Sequence, residues 1–263
     1  MSTSQLIDEL WTGDPPEKVT ASIQSYVANL RRIIEPDRTA RTAEILLSRP
    51  PGYLVDVRAP GVQSVDAIEF RRLSDEGIDR AEHDPEAAYE LLTNAEALWR
   101  GSAYADVADL VPSLAAEAVR LAELRLLTGE TRIRCALALG EHRRQIAELE
   151  SLVAANPLRE SLYGLLALAL YRSDRQADAL AAVARARQVL DDELGIDAGP
   201  ELRQLELDLL RQEPGLAAPS TKPKPPAVPA SKADRRPGSG AAAGSGGPRR
   251  GPPWARPGDR DQW

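Results

Sequence analysis

From Ser64 to Gln212 the chain repeats one pattern: a helix-length amphipathic segment, then a short break. The spacing of apolar residues predicts helices near Val65–Asp79, Asp84–Trp99, Pro112–Leu139, Glu141–Asn156, Leu158–Arg172, Asp174–Leu194 and Pro200–Gln212. The breaks are His83-Asp84-Pro85, Gly101, Gly140, Asn156-Pro157, Ser173-Asp174 and Gly195, all residue types that start or stop helices. Glu141 and Asp174 lie 33 residues apart, and each opens an alanine-rich amphipathic helix after a short break. That spacing approximates the ~34-residue period of tetratricopeptide helical hairpins. Such hairpins stack into a curved array that typically binds other proteins.

The core of this array is predicted to be aliphatic. The chain has one Phe, six Tyr and four Trp, so Leu, Ala, Val and Ile must fill the interior. Cys135 is the single cysteine; it reads as a small buried hydrophobe, and the absence of a disulfide framework fits a reducing compartment. The most apolar run, Gly164–Tyr171, is far short of the roughly 18–20 residues that span a bilayer. The opening MSTSQLIDELW has no basic segment followed by an apolar one, so no secretory signal is read and a cytoplasmic location is expected.

Ahead of the array lies a different kind of helix, predicted over Thr20–Glu35. Val19, Ile23, Val27, Leu30 and Ile34 are spaced by four, four, three and four residues, which stacks them on one face. Tyr26 and Ile33 fill the edge of that face. The opposite face carries Ala21, Gln24, Ser25, Ala28, Arg31 and Arg32, flanked by Ser22 and Asn29. Small residues let a helix seat in a groove, amides read base edges, and arginines grip phosphate or guanine. A solvated face on a helical domain would look similar. Its neighbours favour the first reading. Residues 2–11 form a short helix capped by Thr3 or Ser4, and Gly13-Asp14-Pro15-Pro16 breaks the chain. After Pro36-Asp37, strands are predicted at Glu44–Ser48 and Tyr53–Val57, joined by Arg49-Pro50-Pro51-Gly52. Two helices and a hairpin in this order make a helix-turn-helix with a wing.

The stretches STSQLIDELWTGDPP, YVANLRRIIEP and SRPPGYLVDV resemble the C-terminal half of the winged helix in Streptomyces antibiotic regulatory proteins (SARPs), activators with an OmpR-type DNA-binding domain. AEALWRG, Arg143–Leu152 and NPLRESLYGLLALALYRSDRQADALAAVARARQVLDDELGIDAGPELRQLE resemble that family's bacterial transcriptional activation domain. The resemblance covers roughly residues 2–214. It implies that Gln24, Ser25, Tyr26, Asn29, Arg31 and Arg32 lie on or beside the groove-facing helix, with core and DNA contact equally open for Tyr26. It places Arg49 at the wing position that reaches the minor groove, and Thr12–Val19 at a segment that can touch RNA polymerase. The implied partners are promoter DNA, RNA polymerase and a second copy of the chain on paired repeats. The family's winged helix begins with a small sheet and a first helix, whereas this sequence opens at the second helix. Leu6–Trp11 and Ile23–Ile34 thus present apolar faces whose expected partner would be encoded in frame upstream of Met1.

The charge distribution fits a division of labour. Residues 1–60 carry seven basic and eight acidic groups, residues 61–215 carry 17 and 29, and residues 216–263 carry nine and three. The acidic middle is not expected to lie on DNA. The last stretch is rich in Pro, Gly, Ala, Ser and Arg with almost no large aliphatics, so it is predicted to be disordered. Arginine is a weaker functional sign here than usual, because 29 Arg against four Lys suggests a GC-rich genome. No chemistry is legible: His83, His142 and Cys135 lack metal-ligand spacing, and no nucleophile motif or G-x-x-x-x-G-K-[ST] loop occurs. No catalytic residue, metal or cofactor is expected, and no membrane partner. The expected architecture is mainly α: a partial winged helix-turn-helix with a wing β-hairpin at 1–60, a tetratricopeptide-like α-helical domain at 61–214, and a tail at 215–263. The expected function is a DNA-binding activator of SARP type; the alternative is an interaction module that acts through the helical array without DNA.

Overall fold

In the computed structural model, residues 1–217 are described except for 12, 37–42, 61 and 63. The expected tail therefore lies almost wholly outside the described residues, as does Thr12. The architecture is mainly α, with a partial winged helix followed by a tetratricopeptide-like stack of helical hairpins.

The first module contains α1 (Thr3–Leu10), α2 (Val19–Ile34), β1 (Leu46–Arg49) and β2 (Gly52–Val55). Ser2, rather than Thr3 or Ser4, caps α1: its hydroxyl accepts from the Gln5 amide while the Gln5 side chain accepts from the Ser2 amide. This reciprocal box satisfies two amides left free at a helix start. The strands pair antiparallel, Leu46 with Val55 through Arg49 with Gly52, so only Pro50 and Pro51 form the turn. The peptide between them is cis.

Both strands differ by one or two residues from their predicted limits, and the cause is local. Glu35 Oε1 accepts from the amides of Glu44 and Ile45 at 2.7 and 2.8 Å. Those amides are thereby taken from the ladder, and β1 begins only at Leu46. At the turn, Gly52 pairs not only with Arg49 but also with Ser2, in an isolated antiparallel bridge. Tyr53 N donates to Met1 O and Thr3 N to Pro51 O, both at 3.0 Å. A Cβ on Gly52 would sit 2.0 Å from Met1 O, so glycine is required for this close approach.

A small core unites the module. Ile23, Val27 and Leu46 are buried, with Leu6, Ile7, Trp11, Val19 and Tyr53 packed around them. The remaining apolar positions of α2 are uncovered: Tyr26, Leu30, Ile33 and Ile34 are 53%, 47%, 73% and 43% exposed.

The array comprises α3 (Asp66–Arg80), α4 (Pro85–Glu96), α5 (Pro112–Ala138), α6 (His142–Ala155), α7 (Glu160–Tyr171), α8 (Gln176–Leu194) and α9 (Pro200–Arg211). Each predicted helix is present with ends shifted by at most three residues. Asp84 caps α4 by accepting from the Ala87 amide, and Pro85 follows at the first helical position. Gly195, at φ +66°, ends α8. Where ends moved, side chains explain it. The helix predicted to reach Trp99 stops at Glu96, and Trp99 turns aside to meet Phe70 edge-on, with ring centres 5.2 Å apart. Asp174 takes a positive φ of 64°, so α8 starts two residues later than expected.

Consecutive helices pack on one another, α3 on α4, α4 on α5, α6 on α7 and α7 on α8. The larger core holds Ile133, Leu149, Leu162, Leu166, Val183 and Leu209, all fully buried; a smaller one surrounds Phe70 and Leu121. Cys135 is buried beside Ala88 and Leu92. A last 3₁₀ turn, Pro214–Leu216, folds back onto this core, where Arg172 Nε donates to Leu216 O at 2.9 Å. The packed chain thus runs slightly past the predicted boundary at 214.

Candidate nucleic-acid interface

Helix α2 divides into three stripes. Ile23 and Val27 point into the small core. Tyr26, Leu30 and Ile33 form an uncovered apolar stripe on one flank. Gln24, Ser25, Asn29 and Arg32 are exposed, together with Ala21 and Ala28. At 100° per residue, Ala21, Ser25, Ala28 and Arg32 fall along one line, with Gln24 and Asn29 on either side. The line is narrow, because its members other than Arg32 are small. Asn29 Oδ1 accepts from Arg32 Nη2 at 3.1 Å, which orients both polar groups along the helix surface. Arg31 and Arg32 also sit in the last turn of α2, where a positive charge is favoured by the helix dipole.

The sequence-predicted residues are not equivalent. Gln24, Ser25, Asn29 and Arg32 share the open face, and Tyr26 lies on the neighbouring apolar stripe, exposed rather than in the core. Arg49, the last residue of β1, is exposed beside the turn. Arg31 is directed elsewhere. Its Nε donates to Leu46 O at 2.7 Å and its Nη2 to Ser48 Oγ at 2.9 Å, so its guanidinium is turned onto β1. One helical turn later, Glu35 receives the amides of Glu44 and Ile45. Helix periodicity gives no sign of this, since Arg31 falls at the edge of the polar face. The signal was the pair itself: a cation and an anion at i and i+4 before a loop, which fits a donor and an acceptor for a neighbouring strand as well as it fits each other.

Among the described residues, no group of three or more His, Cys, Asp or Glu could hold a metal ion, and no helix is long and apolar enough to cross a membrane. What the arrangement offers is a slim polar helix face, amide side chains, and two arginines on adjacent elements.

Comparison with known proteins bears on both modules. Residues 65–210 match the bacterial transcriptional activator domain. The regulatory protein DnrI of Streptomyces peucetius is 34% identical over 218 residues, covering 80% of this chain and 78% of DnrI. The transcriptional regulator RedD of Streptomyces coelicolor is 38% identical over 231 residues, covering 88% of this chain and 65% of RedD. The regulatory protein AfsR of Streptomyces griseus is 37% identical over 224 residues, but the chain spans only 22% of its length. Among solved structures, Mycobacterium tuberculosis EmbR in complex with a low affinity phosphopeptide superposes with a TM-score of 0.74 at 35% identity. That match covers 81% of this chain and 55% of EmbR.

Proposed function

This chain belongs to the SARP family of transcriptional regulators, and from that premise we propose that it reads promoter DNA with α2 and the hairpin and recruits RNA polymerase. The observation that carries the reading is the pairing of an exposed polar face on α2 with an exposed arginine at the hairpin turn, on one small module. Gln24, Ser25 and Asn29 would meet base edges in the major groove, with Tyr26 at the edge of that contact. Arg32 would take a phosphate, and Arg49 would enter the adjacent minor groove. The acidic array stands off the DNA and offers its surface to protein, with polymerase as the proposed partner. A second copy of the chain would occupy the second of two repeats.

The test is a set of fluorescence-anisotropy titrations across salt concentrations, using a duplex that the wild-type chain selects from a random-sequence pool. Arg32→Ala should lower the salt slope by about 0.9, one phosphate contact, whereas Arg49→Ala should weaken binding through the lost minor-groove contact. Gln24→Ala and Asn29→Ala should leave the slope alone and relax sequence preference. A wild-type chain that selects no duplex would overturn the reading, leaving a helical array that works on proteins alone.

A further inference from the structure

The C-terminal turn of α2 holds the hairpin by two side chains of opposite sense. Arg31 donates to Leu46 O and Ser48 Oγ. Glu35 accepts from Glu44 N and Ile45 N. Together they fix the backbone of residues 44–46 and the side chain of Ser48, the residue directly before Arg49. From the opposite side, the Met1–Thr3 segment is bonded to Pro51 and Tyr53. The turn that carries Arg49 is therefore anchored on both flanks, and on the α2 side the anchor is polar and geometrically exact.

We propose that Arg31 is a positioning residue: it sets the distance and angle of Arg49 relative to the open face of α2 and does not itself bind phosphate. The proposal rests on the DNA-reading function above. Three features of the geometry carry it. Both bonding edges used by Arg31 point at β1. Its acceptors are a backbone carbonyl and a hydroxyl on the same strand, two points that fix the plane of the guanidinium. Its neighbour Arg32 is exposed and points along the open face, so two adjacent arginines have separate tasks.

Lysine separates the two roles. A phosphate contact tolerates a lysine, which supplies the same charge at a point. A forked contact to two acceptors does not, because an ammonium cannot reproduce the planar fork. The experiment uses the full chain and the duplex selected by the wild type. Arg31→Lys and Arg31→Ala should both bind on the order of tenfold more weakly, with the salt slope unchanged. In the Arg31→Ala background, adding Arg49→Ala should cost less than it costs in the wild type, since Arg49 is already misplaced. Without DNA, amide hydrogen exchange over residues 44–55 should be faster in both Arg31 variants than in the wild type, while exchange in α6–α8 is unchanged. The last comparison also shows that the variants are folded.

The proposal is overturned if Arg31→Lys binds like the wild type while Arg31→Ala lowers the salt slope by about 0.9, which would make Arg31 a phosphate contact. It is equally overturned if hairpin exchange is indifferent to Arg31. Failure of the underlying DNA reading looks different: the wild-type chain itself would select no duplex.

Discussion

His142 is the first residue of α6 and is buried, with Nδ1 making no hydrogen bond. Burial holds its imidazole below the usual value, and the nearby Arg172 cation adds to the effect, against a smaller pull from Glu141. The folded state thus favours the neutral ring. As pH falls below about 6.5, the unfolded chain takes up a proton that the folded chain refuses. Stability is therefore complete above that pH and declines from there down towards the lowered folded value. Urea unfolding at a series of pH values should show this loss, and His142→Gln should flatten it. A slope that survives the substitution would place its origin in other groups. At the same scale, Arg172 is committed to two carbonyls, Leu137 O at 3.1 Å and Leu216 O at 2.9 Å. The guanidinium's charge thus disfavours a second positive charge on the neighbouring ring.

Between elements, the polar ties matter as much as the apolar faces. Arg132 on α5 lies almost fully buried and reaches Glu96 at the end of α4 and Glu148 on α6; it also stacks over the Tyr89 ring of α4. Burial pushes the Glu96 carboxyl up, and the Arg132 charge opposes that rise. Removing the cation leaves two carboxylates facing one another across a half-buried joint. Arg132→Ala should therefore destabilise the array by about 2–4 kcal/mol. Adding Glu96→Gln should return part of that loss, because one of the stranded charges is gone. Denaturant midpoints of the single and double variants measure both effects, and a double variant no better than the single would refute the shared joint. Such ties are the part of an element's surroundings that a sequence hides. The helices themselves were legible, because Asp84-Pro85, Asn156-Pro157 and Gly195 punctuate a regular apolar period. The hairpin was legible in existence but not in its limits, since Glu35 takes the amides of Glu44 and Ile45 while Ile45 O still accepts from Asp56 N. The open face of α2 was legible from spacing alone. The different role of Arg31 was not, because periodicity says which way a Cα faces and not what a long side chain reaches.

At the scale of the molecule, two ways of building meet in one chain. The array is made of neighbours: each helix packs on the next, and its core is continuous from Ile133 to Leu209. The winged-helix module has three buried apolar residues at its centre and is closed by bonds between residues 1–3 and 51–53. Less buried apolar surface means a lower opening free energy. Native-state hydrogen exchange should accordingly show α2 and the hairpin opening at lower denaturant than α6–α8, as a separate cooperative unit. Simultaneous exchange of both would mean that the modules stabilise each other. The pairing of Ser2 with Gly52 also has a consequence in time. Contacts between sequence-distant residues form late, because the intervening chain must first be brought to closure. During synthesis Ser2 emerges long before Gly52, so the helix it caps must wait about fifty residues for its strand partner, at roughly 5–20 residues per second. The array meets no such delay, since each helix finds its partner in the helix made just before it. The array, made later, is thus the quicker to fold, and the winged-helix module is completed only when the hairpin turns back to α1.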